Sequence, residues 1–313
     1  MSDSRHHVRL VSSARTSVGQ VRENNEDNIH LWGRAEFALA VVADGMGGAV
    51  AGEEASRIAV EAVEAALVNS EYANRESLET LSDEFIASKM QEAIHSANAN
   101  IVARTLEKPE MRGMGTTITL AFVRGTQAIL AHVGDSRAYL VEARAQRITQ
   151  VTADHSFVEA LVAAGHLTQE QAEAHPMKNV LYRALGQSED IDVDVYEVQM
   201  SINDRLVLCS DGLTRHVKAP EIGEITLRNA HPEDAAAALI DLANRRGGED
   251  NVSVIVIKVE NDSKQETGEI STTEMRPVNL NDEDTLRMKE EMFSEIPIIG
   301  DSADDTIRPT PAH

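Results

Sequence analysis

Three aspartates stand against short apolar runs in this chain, each flanked by a small residue or an amide: Asp44 in FALAVVADGMGG, Asp211 in RLVLCSDGLT and Asp250 in GGEDNVSVIVIKV. A carboxylate at the end of a buried strand is rigidly placed and poorly solvated, so several gathered in space need cations to offset their repulsion. Oxygen donors without His or Cys motifs select magnesium or manganese over zinc. Two such ions sharing one carboxylate activate water and clamp a phosphoryl oxygen, which makes hydrolytic phosphoryl transfer possible without a protein nucleophile. In keeping with this, neither a CxxxxxR loop nor a GxSxG elbow is expected in the chain, and its Gly-rich DGMGG is not followed by the GK[ST] of an NTP-binding loop.

Other segments supply charge at useful spacing. In VRENNEDN, Arg22 and Glu26 are four apart and Asp27 follows, so one cation and two carboxylates can aim at a common site, although such a cluster alone is usually a solvated salt bridge. Gly45, Gly47 and Gly48 let the chain turn sharply after Asp44 and bring a backbone carbonyl or N–H close to a ligand. In HVGDSRAYL, Asp135 follows Gly134 and precedes Arg137 by two, which fits a hairpin salt bridge as well as a metal role. Thr116 and Thr117 of GMGTT read as ordinary strand residues. The single cysteine, Cys209, lies inside an apolar run and reads as a small buried strand residue.

The elements that must position these groups are legible as β-branched apolar segments and helical periodicity. Strands are expected at His7 to Ser12, Ile29 to Trp32, Phe37 to Ala43, Thr116 to Val123, Ala128 to His132, Ala138 to Glu142, Val193 to Met200, Arg205 to Cys209 and Val252 to Val259. Helices are expected at Gly52 to Asn69, Leu81 to Glu107 and Pro232 to Asn244, with shorter ones at Phe157 to Ala164 and Thr168 to Ala174. Strands that follow one another without helices between them, as in Thr116 to Glu142, point to antiparallel hairpins and an α+β layout. From Asn261 to His313 the chain turns acidic, Ser/Thr-rich and Pro-containing, which marks a tail outside the core. Within it, Asp282 to Phe293 is spaced like a short amphipathic helix, and TEMRP and TIRP stand as two similar short pieces.

Composition limits the partners. With 29 basic against 52 acidic residues the net charge is −23, which disfavours a non-specific grip on nucleic acid or an anionic membrane surface. The opening MSDSRHHVRL lacks a signal-peptide core, and no run approaches the ~18 apolar residues of a membrane span. A cytoplasmic protein is expected.

Taken in order, RENNED, VADGMGG, GMGTT, VGDSRAY, TADHS, HPMKNVLYRALG, LCSDGLT and GGEDNVSVIVI resemble the bacterial branch of the metal-dependent serine/threonine protein phosphatases, the PPM or protein phosphatase 2C family. The resemblance spans roughly Val8 to Glu260, and implies a phosphatase domain over residues 1–260 followed by the acidic tail 261–313. The implied fold is a four-layer α-β-β-α sandwich, two antiparallel sheets flanked by helices, with a dinuclear Mg²⁺ or Mn²⁺ site at one end. The implied activity is hydrolysis of phosphoserine and phosphothreonine, opposing a Ser/Thr kinase. Residue by residue, Asp44 resembles the carboxylate shared by both metals, and Asp211 and Asp250 the other ligands of the first. Glu26 and the carbonyl of Gly45 resemble ligands of the second. Asp27 resembles the group that orients the attacking water, Arg22 the phosphate-binding arginine, and Asp135 with Asp211 a third, weaker metal site.

Residues from about Asp154 to Ala184 resemble the flap beside the site. Met46 stands where many eukaryotic relatives have a histidine that protonates the leaving group, so a water held at Asp135 becomes the first candidate for that role, ahead of His155 or His175. The competing readings are a silent phosphoprotein-binding adaptor of the same fold and a two-metal phosphoesterase acting on small molecules.

Overall fold

The strands that carry Asp44, Asp211 and Asp250 read as continuous apolar runs because both of their faces are covered. The computed structural model describes residues 8–69 and 81–262. One antiparallel sheet has the order β1 (Val8–Ser17), β11 (Val252–Asn261), β10 (Arg205–Cys209), β7 (Arg137–Glu142) and β8 (Arg147–Gln150). The other has the order β2 (Asp27–Gly33), β3 (Phe37–Met46), β5 (Ile118–Arg124), β6 (Gln127–Val133) and β9 (Asp194–Gln199), with the short β4 (Gly115–Thr116) paired to the end of β3.

Alternation along the strands divides the core into layers. Leu39, Val41 and Ala43 of β3 pack with Ala55, Ala59 and Ile94 from the helices Ala49–Val63 and Asp83–Glu107. Val207 and Cys209 of β10 and Val254 and Val256 of β11 pack with Ile222, Ala236 and Leu239 from the helices Ala219–Arg228 and Pro232–Arg245. The intervening residues Ala38, Ala40 and Val42, and Leu206, Leu208, Ile255 and Ile257, are equally buried and face the opposite way, between the sheets. Two sheets with helices outside both make the expected four layers. Each large aliphatic side chain so buried contributes roughly 1.5–3 kcal/mol relative to exposure.

Several boundaries differ from the sequence expectation, those of β1 and β3 because pairing overrides local composition. β1 runs on to Ser17 because β11 pairs with it in register from Val8↔Asn261 to Ser17↔Val252, which carries the polar stretch SARTS along. β3 continues through Met46 because Gly45 and Met46 pair with Thr116 and Gly115. Asp44 therefore sits within a strand and not just beyond its end. The helix expected to reach Asn69 changes at Val63 into a wider turn over Glu64–Val68. Strand β8, the Ala219–Arg228 helix and the short turn of helix Asp211–Thr214 were not anticipated. The tail features, Asp282 to Phe293, TEMRP and TIRP, lie outside the described residues. Among the described residues no helix is long and apolar enough to cross a membrane.

The turn after β10 is locked against β11. A Cβ added at Gly212 would lie 1.9 Å from the carbonyl oxygen of Asn251, so only glycine lets these two backbones touch. Gly212→Ala is expected to destabilise the fold by about 1–3 kcal/mol through overpacking. Denaturant titration checks it; an unchanged midpoint would show that this contact gives way freely.

Candidate metal centre

One pocket of about 390 Å³ opens where β3, the segment after β10 and the segment before β11 meet, and Arg22, Glu26, Asp44, Gly45, Asp135, Asp211 and Asp250 all line it. Residues separated by more than two hundred positions in the chain are thus brought together. Among the described residues lining this pocket none is His or Cys, so its anionic ligand candidates are carboxylate oxygens. The backbone at Asp44 is fixed from several directions. Its N–H donates to Thr117 Oγ1 at 3.1 Å, and its carbonyl accepts from Thr117 N–H at 2.9 Å and from Thr116 Oγ1 at 2.9 Å. The two threonines read from sequence as ordinary strand residues are therefore the clamp on the central aspartate. Gly45 is held by its N–H donating to the Glu26 carbonyl at 3.1 Å, and a Cβ there would meet Gly52 O at 2.1 Å.

Asn251, the residue after Asp250, positions the other wall. Its Oδ1 accepts from Glu26 N–H at 2.8 Å, and its Nδ2 donates to the carbonyls of Val18 and Asn24, both at 2.9 Å. These bonds tie the loop carrying Arg22 and Glu26 to the start of β11. The Glu26 carbonyl also accepts from Ser56 Oγ at 2.7 Å.

Asp27 behaves differently from the other acidic residues. It pairs directly opposite Asp44 across β2 and β3, yet it lies behind the pocket wall and is not among the residues lining it. Its Oδ2 accepts from Ser210 Oγ and Ser253 Oγ, each at 2.7 Å. Those two serines were not singled out in the sequence. Arg137, considered there as a hairpin partner of Asp135, instead pairs with Asp154, with Nη2 to Oδ2 at 2.6 Å. His155 is buried, with Nδ1 accepting from Gly134 N–H at 3.0 Å and Nε2 meeting Asp194 at 3.1 Å. His175 accepts from Met177 N–H at 3.1 Å. Neither histidine lines the pocket, whereas Asn179, Val180 and Leu181 of the flap segment do.

The electrostatics follow from crowding. The carboxylates keep a face open to the pocket, but dense protein behind them removes much of the water that would solvate their charge. Burial, then Asp27, Asp211, Asp135 and Asp250, push Asp44 well above the usual carboxylate range. Burial and the charges of Asp211 and Asp154 push Asp135 up to about 8, against the pull of Arg215 and Arg137. Asp27 is raised by burial to about 7, with its two serine hydrogen bonds opposing the shift. Glu26 and Asp211 are raised too, each chiefly by burial. Such groups shed their protons readily only if a cation joins them, and an all-oxygen acidic set suits a hard divalent ion. The residues present therefore fit magnesium or manganese.

Two arginines stand among these acids. Arg22 reaches Glu26 Oε1 at 3.4 Å and Asp250 Oδ1 at 3.0 Å. Arg215, overlooked in the sequence, pairs with Asp211 through Nε and Nη2 and reaches Asp250 Oδ2 with Nη1 at 2.9 Å. Its signal was there, because Asp211 and Arg215 are four apart across a helical turn. The same stretch also carries the CxxxxxR spacing of thiol phosphatases, from Cys209 to Arg215, which corrects the expectation that no such loop is present. The structure removes that chemistry. Cys209 is wholly buried, burial pushes its thiol up to about 12, and the arginine is turned to the carboxylates.

Comparison with known proteins agrees with the geometry. Residues 16–249 match the family described as protein phosphatase 2C. Serine/threonine phosphatase stp of Listeria monocytogenes is 38% identical over 245 residues, which make up 78% of this chain and 94% of that protein. The solved S. agalactiae serine/threonine phosphatase superposes with a TM-score of 0.72 at 34% identity, covering 80% of this chain and 100% of that one. A structure of the catalytic domain of serine/threonine protein phosphatase PstP, in complex with two manganese ions, gives 0.68 at 34% identity and covers 81% of this chain and 100% of that one. Sequence, fold and the acidic pocket converge: this chain belongs to the protein phosphatase 2C family.

Proposed function

We infer that this chain is a metal-dependent serine/threonine protein phosphatase, hydrolysing phosphoserine and phosphothreonine in proteins and opposing a Ser/Thr kinase. The observation that carries the reading is the convergence of five acidic side chains and Arg22 on one pocket, in a chain of this family. Divalent Mg²⁺ or Mn²⁺, when bound, supplies Lewis-acid activation of water and of the phosphoryl oxygens. Asp44 would be shared by two ions, with Asp211 and Asp250 completing one site and Glu26 and the Gly45 carbonyl the other. Asp135, with Asp211, would serve a third. Arg22 is on the pocket wall and 46% exposed, so its planar fork can turn from Glu26 and Asp250 toward a phosphate monoester. Asp27, held by two serines behind Asp44, acts from the second layer by fixing the charge that Asp44 faces. No histidine replaces Met46, and Asp135 would orient a water that gives the leaving alkoxide its proton. The catalytic unit is proposed to span residues 1–260.

Mn²⁺-dependent hydrolysis of a phosphothreonine peptide by the purified chain tests this reading. Asp44→Ala and Asp211→Ala are each expected to fall below about one hundredth of wild-type kcat/KM, since outer-layer changes around a metal alone cost about 10–100-fold. Full activity in either variant, or an inactive wild type, would overturn the assignment. Arg22→Ala is expected to lower kcat/KM by about 10–100-fold, the loss of charge-assisted hydrogen bonds worth about 1.5–3 kcal/mol.

The raised carboxyls make a second, independent prediction in chelator. A folded-state pKa above the unfolded value means that stability present near pH 4 is lost as pH rises through about 8, because the unfolded chain releases the proton first. Asp135→Asn stays neutral throughout. It should raise the metal-free melting temperature at pH 8 by at least about 2 °C, what roughly 1 kcal/mol produces in a domain of this size. Near pH 4 the difference should shrink. A lower melting temperature for the variant at pH 8 would contradict the crowding argument.

A further inference from the structure

Two of the acids assigned to the first metal are already bridged by a cation that belongs to the chain. The guanidinium of Arg215 forks onto Asp211 through Nε, at 3.0 Å, and Nη2, while its remaining nitrogen meets Asp250 at 2.9 Å. All three guanidinium nitrogens thereby lie against the two carboxylates. The arrangement is built by the local fold: Asp211 and Arg215 are stacked four apart, the Arg215 N–H donates to the Asp211 carbonyl at 2.9 Å, and Gly212 presses this turn onto Asn251. Five acids line the pocket, yet among the described residues no three His, Cys, Asp or Glu side chains are drawn together tightly enough to form a closed metal cage. Arginine, not a preformed cage, organises this end of the pocket.

We propose that Arg215 is a resident counter-cation of the metal-free protein, occupying the Asp211–Asp250 end of the site, and that it must leave for these two carboxylates to bind metal together. The inference rests on the phosphatase reading for its metal, but concerns a competition within this chain. Arg215 takes Oδ2 of both Asp211 and Asp250, so a divalent ion that binds through those oxygens displaces the guanidinium, and metal binding then includes the work of breaking the arginine bridge. The metal-free fold gains in turn, because the bridge offsets repulsion that would otherwise fall on Asp211, Asp250 and Asp44. Arg22 does not substitute for it. Arg22, 46% exposed, also reaches both oxygens of Asp250 but turns its other nitrogen to Glu26, whereas Arg215 alone joins Asp211 to Asp250.

The experiment is equilibrium binding of Mn²⁺ to the full chain, with melting temperature in chelator measured beside it, for wild type, Arg215→Gln and Arg215→Lys. Arg215→Gln is expected to bind Mn²⁺ at least tenfold more tightly than wild type and to melt at a lower temperature in chelator, the deficit disappearing at saturating Mn²⁺. Arg215→Lys keeps the charge but cannot span both carboxylates, so its affinity should fall between the two and it secures the test if the glutamine variant folds poorly without metal. Unchanged or weaker Mn²⁺ binding in Arg215→Gln would overturn the proposal. So would a lysine variant indistinguishable from wild type, because a general field effect would then suffice. These readouts do not depend on turnover: tighter binding without phosphopeptide hydrolysis would uphold the counter-cation and reject the phosphatase reading, while hydrolysis with unchanged binding would do the reverse.

Discussion

Repulsion between carboxylates held at one spot is the constraint on which the rest of this structure depends. Asp27 and Asp44 stand directly opposite across two paired strands, a placement that sheets ordinarily avoid for like charges. Asp211, Asp250, Asp135 and Glu26 are brought to the same region from other parts of the chain. The protein manages this crowd with hydrogen-bond donors to Asp27, with two guanidinium groups around Asp250, and with backbone bonds that leave Asp44 no freedom to retreat. A site so constrained is primed for divalent cations, because binding them relieves the strain of assembling it.

The sandwich makes that constraint possible. β3, β10 and β11 are covered on both faces, so the segments that deliver Asp44, Asp211 and Asp250 are anchored in close-packed apolar layers that cannot yield by shifting. The glycines that follow Asp44 and Asp211 serve the same end, each letting the backbone press against another segment where a side chain would intrude. The core stabilises a polar arrangement that would not hold together on its own. Function and packing are therefore two aspects of the same strands.

Much of this was legible in the sequence, and the unread remainder has a common physical cause. An aspartate terminating an apolar run is a local signal, and Asp44, Asp211 and Asp250 could be read that way. Thr117, Asn251, Ser210 and Ser253 could not. Their importance lies in hydrogen bonds to residues far along the chain, and nothing in their neighbours distinguishes them from ordinary strand or turn positions. Arg215 was visible in principle through its spacing from Asp211, but that spacing is also what any exposed helical ion pair shows. The boundaries of β1 and β3 were misjudged because partner strands extend them over polar residues, and β8 and the Ala219–Arg228 helix were missed because their burial depends on each other: Gly223 sits against Ile148.

The central claim, that these converging acids exist to hold divalent ions, is tested most directly by anomalous diffraction at the manganese edge from crystals grown with Mn²⁺. The account predicts two strong peaks sharing Asp44, one also in contact with Asp211 and Asp250 and the other beside Glu26 and the Gly45 carbonyl. An empty pocket at saturating Mn²⁺, or peaks bound elsewhere on the acidic surface, would contradict it.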